Sequence, residues 1–195
     1  FSYEYTFLVD QDDIWHKEKF SSIVDILSIT SADLVLHDVI VFGAVSKKDS
    51  SKTYYEIKKR KPAFESDKYL MQTSNIGIGH TFVMSKSLII DFLDFSLKDS
   101  FPMHDWAILF FASYWKEYQV YYLDLPLSFY RIHEENYVGL NTRKNLEELN
   151  LLFSHIKSLS ELRISLFNYN FSYKSFPALL KCSRVGSKRL LLEII

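Results

Sequence analysis

The segment Tyr5-Thr6-Phe7-Leu8-Val9-Asp10-Gln11-Asp12-Asp13 runs from a β-branched and aromatic stretch straight into three carboxylates. Residues 5–9 read as an interior strand, so the acids stand at its carboxyl end. There, carboxylates one residue apart project toward a common cavity. A hard divalent cation, Mg²⁺ or Mn²⁺, prefers oxygen ligands of that kind and also bridges phosphates. The other reading is an acidic cap on the following helix, which accounts for one acid, Asp12 or Asp13, but not for three. Ile14, Trp15, Phe20, Ile23, Val24 and Leu27 recur at mostly helical spacing, placing a helix over 14–27 behind the acids.

Further along, Leu34-Val35-Leu36 and Val39-Ile40-Val41-Phe42 are too apolar for a solvent-facing edge, and 33–42 reads as a strand crossing the core. Residues 46–62 are polar and rich in lysine; a solvated face explains the lysines more simply than a phosphate site does. A short strand is expected at Tyr54-Tyr55 and a short helix over 64–71. Asn75-Ile76-Gly77-Ile78-Gly79-His80 forms a glycine turn, suited to positive φ or to close backbone approach, that leads into Thr81-Phe82-Val83-Met84. Helices follow over 85–95 and from Met103-His104-Asp105-Trp106, with Asp105 in the first turn. Short strands over 120–123 and 127–130 are separated by Asp124-Leu125-Pro126.

The balance of 23 basic and 24 acidic residues, with no concentrated basic stripe, argues against a nucleic-acid partner. With one cysteine, Cys182, no internal disulfide or zinc knuckle can form, so a reducing, cytoplasmic setting is the simpler expectation. No apolar run approaches the roughly 20 residues of a membrane span. The basic stretch from Lys174 to Arg189 either rests peripherally on an anionic inner membrane surface or packs its apolar residues and exposes its lysines.

Four segments, in order, resemble the bacterial family 2 glycosyltransferases of the rhamnosyltransferase-like kind, which have a GT-A fold. The run from Phe7 to Trp15, with Lys19, is similar to their metal-binding strand and helix start. Residues 75–82 resemble the glycine loop beneath the acceptor, and His104-Asp105-Trp106 the catalytic-base segment. Pro126-Leu127, Tyr130-Arg131-Ile132-His133 and residues 136–139 resemble the closing element. The resemblance implies an α/β fold: a partial, Rossmann-like GT-A mixed sheet flanked by helices over 1–140, followed by a helical tail over 141–195.

It also implies an inverting transfer from a nucleotide-sugar donor to a glycan or lipid-linked acceptor. In that scheme Asp12 is the direct ligand of Mg²⁺ or Mn²⁺, Asp10 lies nearer the nucleotide, and Asp105 is the general base. Asp13 stays open. His133 is a candidate metal ligand or diphosphate donor. Arg131 is a candidate donor contact, unless it pairs with a core carboxylate. Gly79 and His104 fall in the acceptor region, and Trp15 and Trp106 either wall the sugar pocket or fill the core. Members of that family begin with a nucleotide-binding βαβ region that is not found ahead of Phe1. The expectation is therefore a truncated chain, inactive or marginally folded alone, which micromolar binding of a nucleoside diphosphate would contradict.

Two other classes compete. A haloacid-dehalogenase-type phosphatase also places Asp-x-Asp after a buried strand, but it wants Thr or Val where Ile14 stands. A non-catalytic relic or partner-binding module is the third.

Overall fold

The computed structural model describes residues 4–43, 52–59, 61–62, 75–101, 103–116 and 118–132. These form a mixed five-stranded sheet with helices on both faces. In chain order the elements are β1 (Tyr5–Phe7), β2 (Ile14–Trp15), α1 (Lys19–Thr30), β3 (Leu34–Gly43) and α2 (Tyr54–Lys58). A 3₁₀ turn (Gly79–Thr81), β4 (Val83–Ser85) and α3 (Lys86–Leu93) come next, then α4 (His104–Phe110), continued by a π turn (Phe111–Trp115), and β5 (Val120–Ile132). The expected helices over 64–71 and 141–195, and His133, lie outside the described residues.

The strand order is β1-β4-β3-β5-β2, with β3 and β5 parallel and every other pair antiparallel. Alternation along β3 explains why this strand is apolar on either side of its His37-Asp38 pair. Leu34 and Leu36 enter a core with Phe82, Met84, Leu88 and the α4 residues, while Val35 faces the opposite core with Ile23 and Leu27 of α1. Both faces of the central strand are covered, as the sequence leads one to expect.

Several expectations need correction. The helix behind the acids starts at Lys19, with Glu18 at its N-cap and no side-chain cap, so neither Asp12 nor Asp13 caps it. Ile14 and Trp15 are extended instead, pairing with Phe129 and Ser128. A β-branched and an aromatic residue gain more from that pairing than from an extra helical turn. The strand over 5–9 is shorter, and it lies at the edge of the described sheet rather than inside it, paired with β4 alone. Tyr54-Tyr55 begins a helix. Thr53 accepts from the Glu56 amide and Glu56 returns the bond to the Thr53 amide, a capping box that overrides the strand preference of two tyrosines. The two strands expected over 120–130 are one, with pairing irregularities opposite His37-Asp38-Val39 that absorb the Asp124-Leu125-Pro126 interruption.

Candidate functional site

The antiparallel pairing of β1 with β4 does the first work. Because Phe7 pairs with Val83, and Leu8 donates to the Phe82 carbonyl at 2.9 Å, the chain leaving β1 lies beside the turn entering β4. The acidic loop over 10–13 thus meets His80. The second constraint is β5, whose end pairs with β2 and holds the loop from the other side. The Arg131 amide donates to Asp13 Oδ1 at 2.9 Å, and Arg131 Nε donates to the Asp12 carbonyl at 3.0 Å. The Arg131 guanidinium lies 5.1 Å from the Phe42 ring.

Asp10, Asp13 and His80 offer ligand atoms all within 4.8 Å of one another. His80 Nδ1 stands 2.9 Å from Asp13 Oδ2 and 3.6 Å from Asp10 Oδ2. The side chains of His80 and Asp13 are 0% and 1% exposed, while that of Asp10 is 55% exposed and opens the cluster to solvent. Near as they are, His80 Nδ1 and Asp13 Oδ2 lack hydrogen-bond alignment, and neither has another partner among the described residues. Buried polar atoms left so are unusual, and convergence on a shared ion is one of their explanations. The separations fit: adjacent ligands of an octahedral ion held at about 2.1 Å lie about 3 Å apart.

The charges around the cluster act on one another. Burial opposes the His80 imidazolium, but contacts with Asp10 and then Asp13 outweigh it and raise the His80 pKa. Conversely, the neighbouring His80 imidazole holds the Asp10 carboxyl below the usual range, against burial, with His104 and Lys19 adding to the effect. Lys19 is wholly buried. Its Nζ donates to the His80 carbonyl at 3.0 Å and to Ser128 Oγ at 3.1 Å, and lies 4.2 Å from the Trp15 ring centroid. Burial lowers its pKa to about 8, with Asp13 and Asp10 opposing. The Tyr130 ring stacks on His80 at 5.5 Å, and its hydroxyl is pushed up to about 12 by burial and then by Asp13.

Asp105 reaches the same place from α4. A Cβ built on Gly79 would stand 3.2 Å from Asp105 Cβ, 3.4 Å from His104 Nε2 and 3.6 Å from Asp105 Oδ2. Gly79, without a side chain, therefore lets the amino end of α4 dock directly beside His80; close approach, rather than positive φ, is what this glycine supplies. Asp105 Oδ1 accepts from the Trp106 amide at 2.8 Å. Burial, and then the Asp105 charge, push the nearby Tyr54 hydroxyl to about 12.

The fold thus brings together Asp10, Gly79, His104 and Asp105, with Arg131 bracing the loop. Asp12 is not one of the three clustered residues, although its carbonyl is tied to Arg131. Trp106 is 1% exposed and packs edge-on against Phe101, so it fills the core rather than lining a cleft. Trp15 is half-buried between Phe7 and the Lys19 ammonium. Sequence reasoning missed His80 as a site residue. Its only signal was its position at the end of a glycine turn, which a lone histidine does not distinguish from core packing. Among the described residues no helix is long and apolar enough to cross a membrane.

No family model matches the sequence. Among curated proteins, the chain is 30% identical over 145 residues to the dTDP-rhamnosyl transferase RfbG of Shigella flexneri, covering 72% of this chain and 47% of that protein. The chain therefore spans about half the length of the curated relative it matches. Among solved structures, S. aureus TarS 1-349 in complex with UDP-GlcNAc is similar over 93% of this chain and 56% of that one, with a TM-score of 0.41 and 14% sequence identity.

Proposed function

We propose, from the premise that this chain is a distant homologue of a dTDP-rhamnosyl transferase, that it contributes the metal and acceptor-base side of an inverting nucleotide-sugar glycosyltransferase. The observation that carries the reading is the meeting of two carboxylate groups at one dipeptide. Asp10 and Asp13 gather on His80, and Asp105 abuts Gly79.

The chemistry divides between these groups. Asp105, with Oδ1 engaged by its own helix, offers its second oxygen to the hydroxyl of a glycan or lipid-linked acceptor and takes the proton as that oxygen attacks the anomeric carbon. One base suffices for inversion, since attack and departure occur on opposite faces of the sugar. Asp10, Asp13 and His80 would hold Mg²⁺ or Mn²⁺, which would supply the charge that neutralises a departing diphosphate. Lys19 and Tyr130 fix the His80 segment from below and beside. A dTDP-activated sugar is the first donor to test, because the relative is a dTDP-rhamnosyl transferase.

The test is release of dTDP from dTDP-rhamnose in the presence of acceptor glycolipid, with Mn²⁺ or Mg²⁺ and after chelation. Divalent-dependent release that is lost in Asp105→Asn is expected. Release that survives chelation, or that Asp105→Asn leaves unchanged, overturns the reading.

A further inference from the structure

We infer that Tyr54, at the start of α2, is the aromatic platform on which the acceptor sugar lies, with the Lys58 ammonium as a hydrogen-bond donor beside it. The inference deepens the transferase reading and rests on it only for calling the bound sugar an acceptor. A base that takes a proton from a sugar hydroxyl needs that hydroxyl held close and correctly turned. A pyranose offers an apolar face of C–H bonds, which a large, rigid aromatic side chain can cover. The two tryptophans near the site are otherwise engaged: Trp106 is 1% exposed in the core, and Trp15 packs against Phe7 and the Lys19 ammonium.

The fold fixes α2 beside the base, and Tyr55 is its anchor. This residue is buried, its ring meets Tyr122 edge-on at 5.4 Å, and its amide donates to Asp38 Oδ1 at 3.4 Å. The Tyr55 hydroxyl donates to the Ile76 carbonyl at 2.8 Å, which ties α2 to the head of the glycine turn. That turn runs on to Gly79, against which Asp105 packs. Thr53, the N-cap of α2, bridges to Ile40 of β3. All these ties are made by the residues on either side of the Tyr54 side chain, which stays half-buried with its ring perpendicular to that of Tyr55 at 5.3 Å.

Tyr54 stands within electrostatic reach of both halves of the site. The Asp105 charge acts on its hydroxyl, and Tyr54 in turn acts on Tyr130, the ring that stacks on His80. A sugar presenting its hydroxyl to Asp105 therefore lies beside Tyr54. Lys58, one helical turn on, is exposed and places its Nζ 5.4 Å from the Tyr54 ring centroid. An apolar face and a strong donor are thus presented together, which matches a ring that carries hydroxyls around one C–H face. The Tyr54 hydroxyl, protonated at neutral pH, adds a second donor and no charge next to the base.

Saturation-transfer nuclear magnetic resonance of the protein with the methyl glycosides of rhamnose, glucose, galactose and N-acetylglucosamine, without donor or metal, tests the inference. At least one glycoside should receive saturation, strongest at the C–H protons of one ring face. Tyr54→Phe should keep that effect and Tyr54→Ala should abolish it. In the dTDP-release assay, Tyr54→Ala should raise KM for the acceptor glycolipid about five- to ten-fold, while KM for dTDP-rhamnose stays at the wild-type value. Lys58→Met should raise the acceptor KM about three-fold, as loss of one hydrogen bond does. Should Tyr54→Ala fail to fold, Tyr54→Leu, which keeps bulk but not the aromatic face, takes its place with the same expectations. No saturation of any glycoside, saturation that survives the loss of the ring, or an equal rise in both KM values each overturn the inference. The saturation measurement needs no turnover. If the protein releases no dTDP, the transferase reading fails, while sugar contact at Tyr54 is still decided.

Discussion

Two histidines in this molecule are equally hidden from water and are driven in opposite directions. His37, in the middle of β3, is 0% exposed, and His80, before β4, is 1% exposed. At His37, burial and then the Lys19 charge push the pKa down to about 3, against the bond its Nδ1 makes to the Asp38 carbonyl at 2.7 Å. At His80, two carboxylates outweigh the same burial and the pKa rises. Burial alone therefore says little about what a histidine can do; the groups it faces decide. His37 is a neutral part of the core, and His80 belongs to a charged pocket only because two strands run antiparallel.

That contrast can be broken or sharpened by substitution. The largest effect is expected at Asp105, the proposed base. Asp105→Asn should lower sugar transfer by about 10²- to 10⁴-fold, yet leave Mn²⁺ affinity near the wild-type value, as calorimetric titration of the metal would show. A comparable loss of metal binding would mean that Asp105 supports the cluster instead of acting on substrate.

The next effect separates the histidines by pH. The unfolded His37 imidazole takes up a proton below about 6.5, while the folded one stays neutral to about 3. Its contribution therefore favours unfolding increasingly as pH falls through 6.5, and stability rises with pH over that window. Between pH 7 and pH 5 this site should cost about 2 kcal/mol. Urea midpoints for the wild type should fall accordingly, and His37→Leu should flatten the dependence; an unchanged slope would show that His37 is already protonated in the fold.

Lys19 links the two sites, and its removal should bring them closer. Lys19→Met leaves the His80 carbonyl and Ser128 Oγ without their donor, costing about 1 kcal/mol in chemical unfolding. It should also raise the His37 pKa, read from imidazole proton shifts, because the nearest positive charge is gone. A His37 titration indifferent to Lys19→Met would leave burial as the sole cause. The smallest effect is steric: Gly79→Ala needs Asp105 to yield by a few tenths of an ångström. Transfer should fall by no more than about ten-fold, with KM for the acceptor affected more than that for the donor.

Much of the local structure was legible in the residues. The run Leu34-Val35-Leu36 announced a doubly covered strand, and Ser85 and Asp105 marked helix starts that the fold keeps. The failures share a cause. Asp12 and Asp13 were as good a helix cap as any by local chemistry, but the backbone of Ile14 and Trp15 had β5 available as a partner more than a hundred residues away. Tyr54-Tyr55 failed in the other direction, where a cap formed by Thr53 and Glu56 overrode side-chain preference. Trp106 could not be divided between pocket and core until Phe101 was seen against it.

The residues themselves determined the ingredients: a strand ending in three acids, a glycine turn, an acid in a helix's first turn, and an order of motifs resembling one family of sugar transferases. Those follow from interactions spanning a few positions. That His80 rather than a neighbour faces Asp13, that Gly79 and Asp105 touch, and that one buried ammonium underlies both histidines were decided by the tertiary structure. The reason is that strand pairing and helix docking bring together groups from distant parts of the chain, and no local preference encodes which of them will meet.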